Sequence, residues 1–181
     1  MLGSLDWTPV QQRSDLLAPC VADALTHQSQ DRDEIFVAEI DPELADTVSF
    51  CETYEVPLEA SANCVVIAAR RAGTTRLAAC VVLATTRADV NNLVRRRLDA
   101  RKASFAAVDL AVAETGMAHG GITPIGLPEG WPLLVDSAVV GTAQVVVGSG
   151  LRRSKLLLPG TWLGELPGAD VVDGLGKPIA G

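Results

Sequence analysis

Residues 63–86 read NCVVIAARRAGTTRLAACVVLATT. Two apolar runs flank Ala72-Gly73, a pair suited to a tight turn, so the segment is expected to form the two strands of a hairpin. The runs are continuously apolar rather than alternating, the pattern of strands covered on both faces. A hairpin of this kind belongs inside a sheet, with other elements packed on either side.

Before the hairpin, residues 1–35 read as a mostly polar N-terminal extension with one helix around 15–25, and residues 36–176 as a single domain. Asp41-Pro42 supplies an N-cap followed by proline in the first turn. Leu44, Val48 and Cys51 then recur at i, i+4 and i+7, predicting a helix over 42–54 that Val56-Pro57 ends.

After the hairpin, Thr86-Arg87-Ala88-Asp89 has the form of a capping box. Val90, Leu93, Val94 and Leu98 make the inward stripe of a helix expected over 87–100, with Arg95, Arg96 and Arg97 on its other face. A short strand is expected at 104–105, then a helix over 108–115 closed by Gly116. LLVD (133–136), QVVVG (144–148), SKLLL (154–158) and DVVD (170–173) read as further strands. Helices and strands do not alternate regularly, which disfavours a doubly wound parallel sheet. The expectation is an α+β fold: one domain with a mixed, barrel-like sheet and helices packed outside.

The net charge of −7 argues against a broadly basic surface. The cations are nonetheless grouped: Arg95, Arg96, Arg97, Arg101 and Lys102 form one cluster, and Arg152, Arg153 and Lys155 another, while acids crowd the stretch from Asp31 to Glu59. One face can therefore hold a polyanion, with strong salt dependence. No apolar run reaches 18 residues, so no membrane span is expected. The first twenty residues carry Asp6 and Asp15 and lack a basic start, so no secretory signal is expected and the cytoplasm is the default compartment. Cys20, Cys51, Cys64 and Cys80 form no CxxC pair and are expected as reduced thiols. The two histidines, His27 and His119, belong to no cluster with ligand spacing, so neither a metal nor another cofactor is expected.

The densest chemical signal is GMAHGGITPIGL, residues 116–127. Pro124 fixes its own φ and biases Thr123 towards extended geometry, while the glycines permit positive φ and close approach. The amides of Gly120, Gly121, Ile122 and Thr123 either hold a carbonyl or carboxylate oxygen, or merely make a tight strand entry. Neither a P-loop nor a dinucleotide fingerprint is present. Gly148-Ser149-Gly150 forms a second small-residue loop, but no GxSxG elbow surrounds Ser149. His119 is the one histidine beside these loops.

In order, ASANCVV, the hairpin, DARKASFA, ETG, GGITPIGL, LLVD, VVVGSG and RRSKLLLP make a chain, from about residue 40 to 173, that resembles the YbaK/ProRS-associated domain family. These are aminoacyl-tRNA deacylases of the YbaK, ProX and INS-domain type. GGITPIGL matches the family's GxxxP loop. The resemblance implies hydrolysis of the ester joining a wrong amino acid to the 3′ end of tRNA, in a pocket lined by Gly120, Gly121, Ile122, Thr123 and Pro124. Asp136, Gly148, Ser149 and Gly150 match positions near the same cleft. Family members carry a lysine at the start of the first strand, where this chain has Ala62-Asn63-Cys64-Val65. With Asn63 there, the pocket either prefers another substrate, recruits a different cation or has lost activity.

The expected reaction is direct attack by water, with the carbonyl held by the 120–124 loop and Asn63 orienting the terminal adenosine or the substrate's amino group. His119 stands beside the loop as a further substrate-binding candidate. Arg95, Arg96, Arg97, Arg101, Lys102, Arg152 and Arg153 would steer the acceptor stem. The expected partner is aminoacyl-tRNA, with a synthetase as a second candidate, and monomer and homodimer both stay open. The alternative is a non-catalytic aminoacyl- or tRNA-binding or regulatory module that has lost activity with the change from lysine to Asn63. Val, Ile and Ala at 65–69 suggest an apolar pocket lining and hence a small substrate side chain.

Overall fold

The computed structural model describes residues 1–28 and 32–179; Asp31, the start of the acidic stretch, lies outside the described residues. In chain order the elements are β1 (Thr8–Pro9), α1 (Pro19–His27), β2 (Phe36–Glu39), α2 (Thr47–Thr53), β3 (Ala62–Arg71), β4 (Thr74–Leu83) and β5 (Thr86–Ala88). There follow α3 (Arg95–Arg97), β6 (Lys102–Phe105), α4 (Val108–Thr115), β7 (Leu133–Asp136), α5 (Ser137–Val140) and β8 (Val145–Gly148). The chain ends with β9 (Ser154–Leu158), α6 (Gly160–Gly164), β10 (Ala169–Val172) and β11 (Gly176–Pro178).

The hairpin is the spine of the larger sheet. Ala72 and Gly73 both take positive φ, 49° and 78°, the twist-matched two-residue turn that joins β3 to β4. The strands pair from Arg71–Thr74 back to Ala62–Leu83, and the sheet order is β10-β7-β4-β3-β6. β7 lies parallel to β4 and β10 parallel to β7, so the sheet is mixed. The unbroken apolar run resolves into two faces. Ala79 and Val81 enter the main core, with Leu16, Val21, Val135, Leu156 and Leu163. Ala78, Cys80 and Val82 enter a second core with Ile67, Val94 and Leu134.

A second sheet, β1-β2-β9-β8, is antiparallel throughout, and β11 pairs with β5 in a third. The two larger sheets touch through a parallel bridge between Ser61 and Val146. Among the described residues the strands close into no barrel, so the fold is α+β with one mixed and one antiparallel sheet that adjoin rather than encircle. No helix among them is long and apolar enough to cross a membrane.

Several local expectations need correction. Asp41 caps only a 3-10 turn at Pro42–Leu44; the helix begins later, where the Asp46 carboxylate accepts from the amides of Val48 and Ser49. Thr86–Ala88 is a strand rather than a cap, because β11 pairs with it, and the segment after it opens with a π-helical turn at Val90–Val94 before α3. The polar lead-in is also a contributor to the core: Trp7, Val10, Leu16, Leu17, Val21 and Leu25 are buried, and β1 pairs with β2. Gly116 ends α4 in the left-handed conformation, at φ 68°.

The two glycine-bearing loops are locked together by backbone. The Ala118 amide donates to the Gly150 carbonyl at 2.9 Å, and the Gly150 amide donates to the Gly121 carbonyl at 2.7 Å. A methyl group on Gly148 would sit 2.5 Å from the Gly121 oxygen and 2.7 Å from the Ile122 oxygen. Gly148→Ala is therefore expected to cost about 1–3 kcal/mol by overpacking. Gly141→Ala, where the nearest atom would be the Ser137 oxygen at 3.4 Å, is expected to be close to neutral. Urea midpoints of the two variants check this; equal midpoints would contradict it.

Candidate functional site

At the seam between the two larger sheets lies a cavity of about 380 Å³. The start of β3 lines it with Ala62, Asn63 and Cys64, and the N-terminus of α2 with Asp46 and Thr47 next to Ala45. The first glycine loop contributes His119, Gly120 and Ile122; the end of β8 and the turn after it contribute Gly148 and Arg152; β9 contributes Lys155.

Backbone accounting separates the amides of the 120–124 loop. The Gly121 amide is spent on the Ala118 carbonyl at 2.9 Å, and the Thr123 amide faces the Met117 sulfur at 3.4 Å. Pro124 has no N–H. The amides of Gly120 and Ile122, both from cavity-lining residues, have no acceptor among the described residues. The loop thus offers two donors rather than four. Gly120 takes φ 81°, and a methyl group there would lie 2.5 Å from Nη1 of Arg152, so glycine lets the guanidinium lie against the chain. Arg152 also donates from Nη1 to the His119 carbonyl at 3.3 Å.

Asn63 is held on one side only. Its Oδ1 accepts from Thr47 Oγ1 at 2.7 Å, which leaves the amide nitrogen without an acceptor among the described residues. Cys64 is no nucleophile, because burial and then the neighbouring Cys80 push its thiol pKa up, and Cys80 itself is pushed to about 12. A neutral thiol is a weak attacker.

Lys155 escaped the sequence reading as a site residue. The alternation of β9 sends Leu156 and Leu158 to the main core and Lys155 the other way, on the same face as Leu157, towards α2. Its side chain is 8% exposed, its ammonium stands 5.2 Å from the Phe50 ring centre, and Nζ donates to the Ala45 carbonyl at 3.1 Å. No carboxylate forms an ion pair with it among the described residues. Burial is the main reason its pKa falls to about 8; Arg152 pushes the same way, while Cys51 and Asp46 oppose. A signal for it existed: a charge inside an otherwise apolar strand, SKLLL, needs a reason to be there.

Other expected site residues lie elsewhere. Thr123 is fully buried, its hydroxyl without a partner among the described residues, and Pro124 borders a different cavity, beside Trp131 and Pro132. Ser149 is buried, and its hydroxyl is bound to Ser154 Oγ at 2.7 Å and to the backbone of Leu151. Gly150 lies against Ala18, the residue that precedes α1, and Val21 within it. Asp136 caps α5 through the Ala138 amide and ties down β11 through the Gly176 amide at 2.7 Å. The expected lining by residues 65–69 is also corrected: β3 gives the cavity only residues 62–64.

The cations divide as well. Arg152 reaches the cavity, but Arg153 is engaged by the Asp15 carbonyl at 2.7 Å and by Glu39. Lys102 pairs with Arg70 across β6 and β3, and the Arg101 amide donates to the Arg70 carbonyl. Arg70 stands seven residues up β3 from Asn63, about 23 Å at strand rise. Arg97 is held by Asp170 in a two-pronged pair, which lowers the Asp170 pKa, while Arg95 and Arg96 bond carbonyls of their own turn.

A family model described as an aminoacyl-tRNA editing domain matches residues 41–164. The fold is similar to a candidate trans-editing enzyme for prolyl tRNA synthetase, at 21% identity and TM-score 0.73, over 88% of this chain and 96% of that one. It is also similar to the hypothetical protein APE2540, at 18% identity and TM-score 0.68, over 78% of this chain and 90% of that one. No curated protein matches the chain.

Because the folded-state pKa of Lys155 lies below its unfolded value of 10.5, the unfolded chain binds more protons between about pH 8 and 10.5. The Lys155 contribution to stability therefore rises with pH across that window. Below it, the buried charge costs on the order of 3 kcal/mol, partly offset by its hydrogen bond. Lys155→Met is expected to be about 2 kcal/mol more stable than wild type at pH 7, the gap closing by pH 10.5. The thiols act oppositely but equally in both proteins. Urea unfolding across pH checks this; a gap independent of pH would contradict it.

Proposed function

We propose that this chain, which belongs to the aminoacyl-tRNA editing domain family over its residues 41–164, hydrolyses the ester that joins an amino acid to the 3′ end of tRNA. The observation that carries the reading is that Gly120 and Ile122, whose amides have no acceptor among the described residues, line a cavity together with Asn63 and the buried Lys155.

In this reading the ester carbonyl enters the cavity with its oxygen towards the Gly120 and Ile122 amides. Donors fixed in advance where charge develops stabilise the tetrahedral state without reorganising, and each is worth roughly 3–4 kcal/mol of barrier. Gly121, Thr123 and Pro124 hold the loop in shape. The free amide nitrogen of Asn63 donates to the terminal ribose or adenine. His119 and Arg152 stand at the mouth, where the guanidinium meets the phosphate before the terminal nucleoside. Of the lining side chains that could act as a base, the Asp46 carboxylate is engaged as the cap of α2 and His119 binds substrate at the mouth, so water attacks directly and positioning contributes most of the acceleration.

Asp136, Ser149 and Gly150 act in this proposal as supports behind the wall. Arg101 and Lys102, at the far end of β3, and Arg95 and Arg96, on the turn that carries α3, contact RNA backbone beyond the single-stranded terminus rather than the ester. The protein acts in trans on aminoacyl-tRNA in the cytoplasm, beside the synthetase that mischarges it.

The test is a panel of tRNAs charged with noncognate amino acids, followed by loss of label against an enzyme-free blank. Wild type is expected to clear at least one pairing faster than the blank. If no pairing decays faster, the hydrolase reading fails. Should only Asn63→Lys gain activity, the chain is a binding module whose catalytic site has lapsed.

A further inference from the structure

Lys155 is a cation in an unusual position. A buried ammonium ordinarily has a carboxylate partner, since desolvation of the charge otherwise goes uncompensated. Among the described residues its one hydrogen bond uses one of three N–H donors, on the Ala45 carbonyl at 3.1 Å, and Phe50 supplies a ring face at 5.2 Å. The folding cost is kept although methionine would fill the same space. Such a cost is typical of a group retained for what it does to a ligand.

The backbone brings this ammonium to the unspent amides. Lys155 is the cross-strand partner of Gly148. The α-carbon of Gly148 lies under the 121–122 peptides, close enough that a methyl group would meet both carbonyl oxygens within 2.7 Å. The loop that carries the Gly120 and Ile122 amides is thus seated on the residue beside Lys155, and all four residues line one cavity. Three residues that each carry a donor able to hold a developing negative charge therefore line the same cavity.

We infer that Lys155 is a catalytic residue of the proposed ester hydrolysis, its ammonium donating to the carbonyl oxygen as that oxygen becomes an oxyanion. The inference rests on the hydrolase reading above. Water adds to the carbonyl carbon, and the π electrons move to the oxygen, which the Lys155 ammonium and the two amides hold. The carbonyl re-forms, the ester C–O bond breaks with its electron pair on the ribose oxygen, and that oxygen takes the proton the water sheds. Lys155 stays an ammonium throughout. The charged and titratable groups facing it are Asp46 and Cys51 of the α2 region, Cys64 of β3, and His119 and Arg152 of the two loops.

The experiment is steady-state deacylation of the pairing that wild type clears best, at pH 6–9.5 with the enzyme-free rate subtracted. The proteins are wild type, Lys155→Met and Lys155→Arg, and urea unfolding verifies that each is folded. Lys155→Met is expected to lose about 10²–10³-fold in kcat, the effect of removing one oxyanion donor. Lys155→Arg is expected to retain part of the activity. Wild-type kcat/KM is expected to fall tenfold per pH unit above about pH 8, and Lys155→Arg to remain level there. The substrate's own ammonium titrates equally with both proteins, so only the limb that moves belongs to Lys155. A folded Lys155→Met within threefold of wild type, or identical pH limbs in wild type and Lys155→Arg, overturns the inference while leaving the hydrolase reading intact. If wild type clears no pairing, both fall.

Discussion

The candidate site depends on one contact between two stretches of main chain. The 118–122 loop lies directly on the end of β8 and the turn that follows, with reciprocal hydrogen bonds between Ala118, Gly121 and Gly150. Side chains cannot separate backbones at such a distance, so glycine is required at Gly121 and Gly148 for space rather than for flexibility. The contact consumes some of the loop's polar groups and leaves others. Carbonyls turn towards Gly148 and Gly150, the Gly121 amide closes its own turn, and the amides of Gly120 and Ile122, two cavity-lining residues, are left without an acceptor among the described residues. The two readings that the sequence leaves open, a demanding turn and a donor cradle, describe different atoms of the same loop.

Electrostatics then distinguishes this cavity from the rest of an acidic protein. The surface ion pairs are exposed and contribute little to stability. Lys155 differs because it is buried with no ion-pair partner among the described residues, and Thr47 orients Asn63, which lines the same cavity, through a 2.7 Å bond. The wall therefore carries a cation from β9 and a neutral amide from the start of β3. A site that stabilises transient negative charge needs such a cation close to the reacting atoms, not on the distant sheet end where Arg70 and Lys102 stand.

What could be read from the sequence followed the range of the interactions. The hairpin was legible because turn residues and continuous apolar runs are local signals, and Gly116 because a left-handed helix end needs glycine. The helix predicted over 87–100 starts later, at Val90, because Thr86–Ala88 obeys a strand partner, Gly176–Pro178, about ninety positions away, while the inward stripe of Val90, Val94 and Leu98 is buried as its spacing requires. The first 35 residues looked polar because their few buried side chains, Trp7, Leu16 and Val21 among them, are spaced by turns with no single period. Asp136 and Ser149 resembled site residues because a strand end and a glycine turn are where sites often lie. Their side chains instead cap a four-residue helix and bind Ser154, contacts with no sequence period. Lys155 was visible as a charge in an apolar strand, but only the alternation of β9 against α2 shows which way it faces.

The central claim is that the Gly120 and Ile122 amides are the donors for the acyl oxygen. Its most direct measurement is the ¹H–¹⁵N spectrum of the protein titrated with a non-hydrolysable 3′-aminoacylamino analogue of the terminal adenosine. The Gly120 and Ile122 amide protons are expected to move downfield, while those of Gly121 and Thr123, already engaged, stay in place. Saturable binding that leaves Gly120 and Ile122 unmoved, or shifts confined to the Arg70–Lys102 end of the sheet, would contradict it.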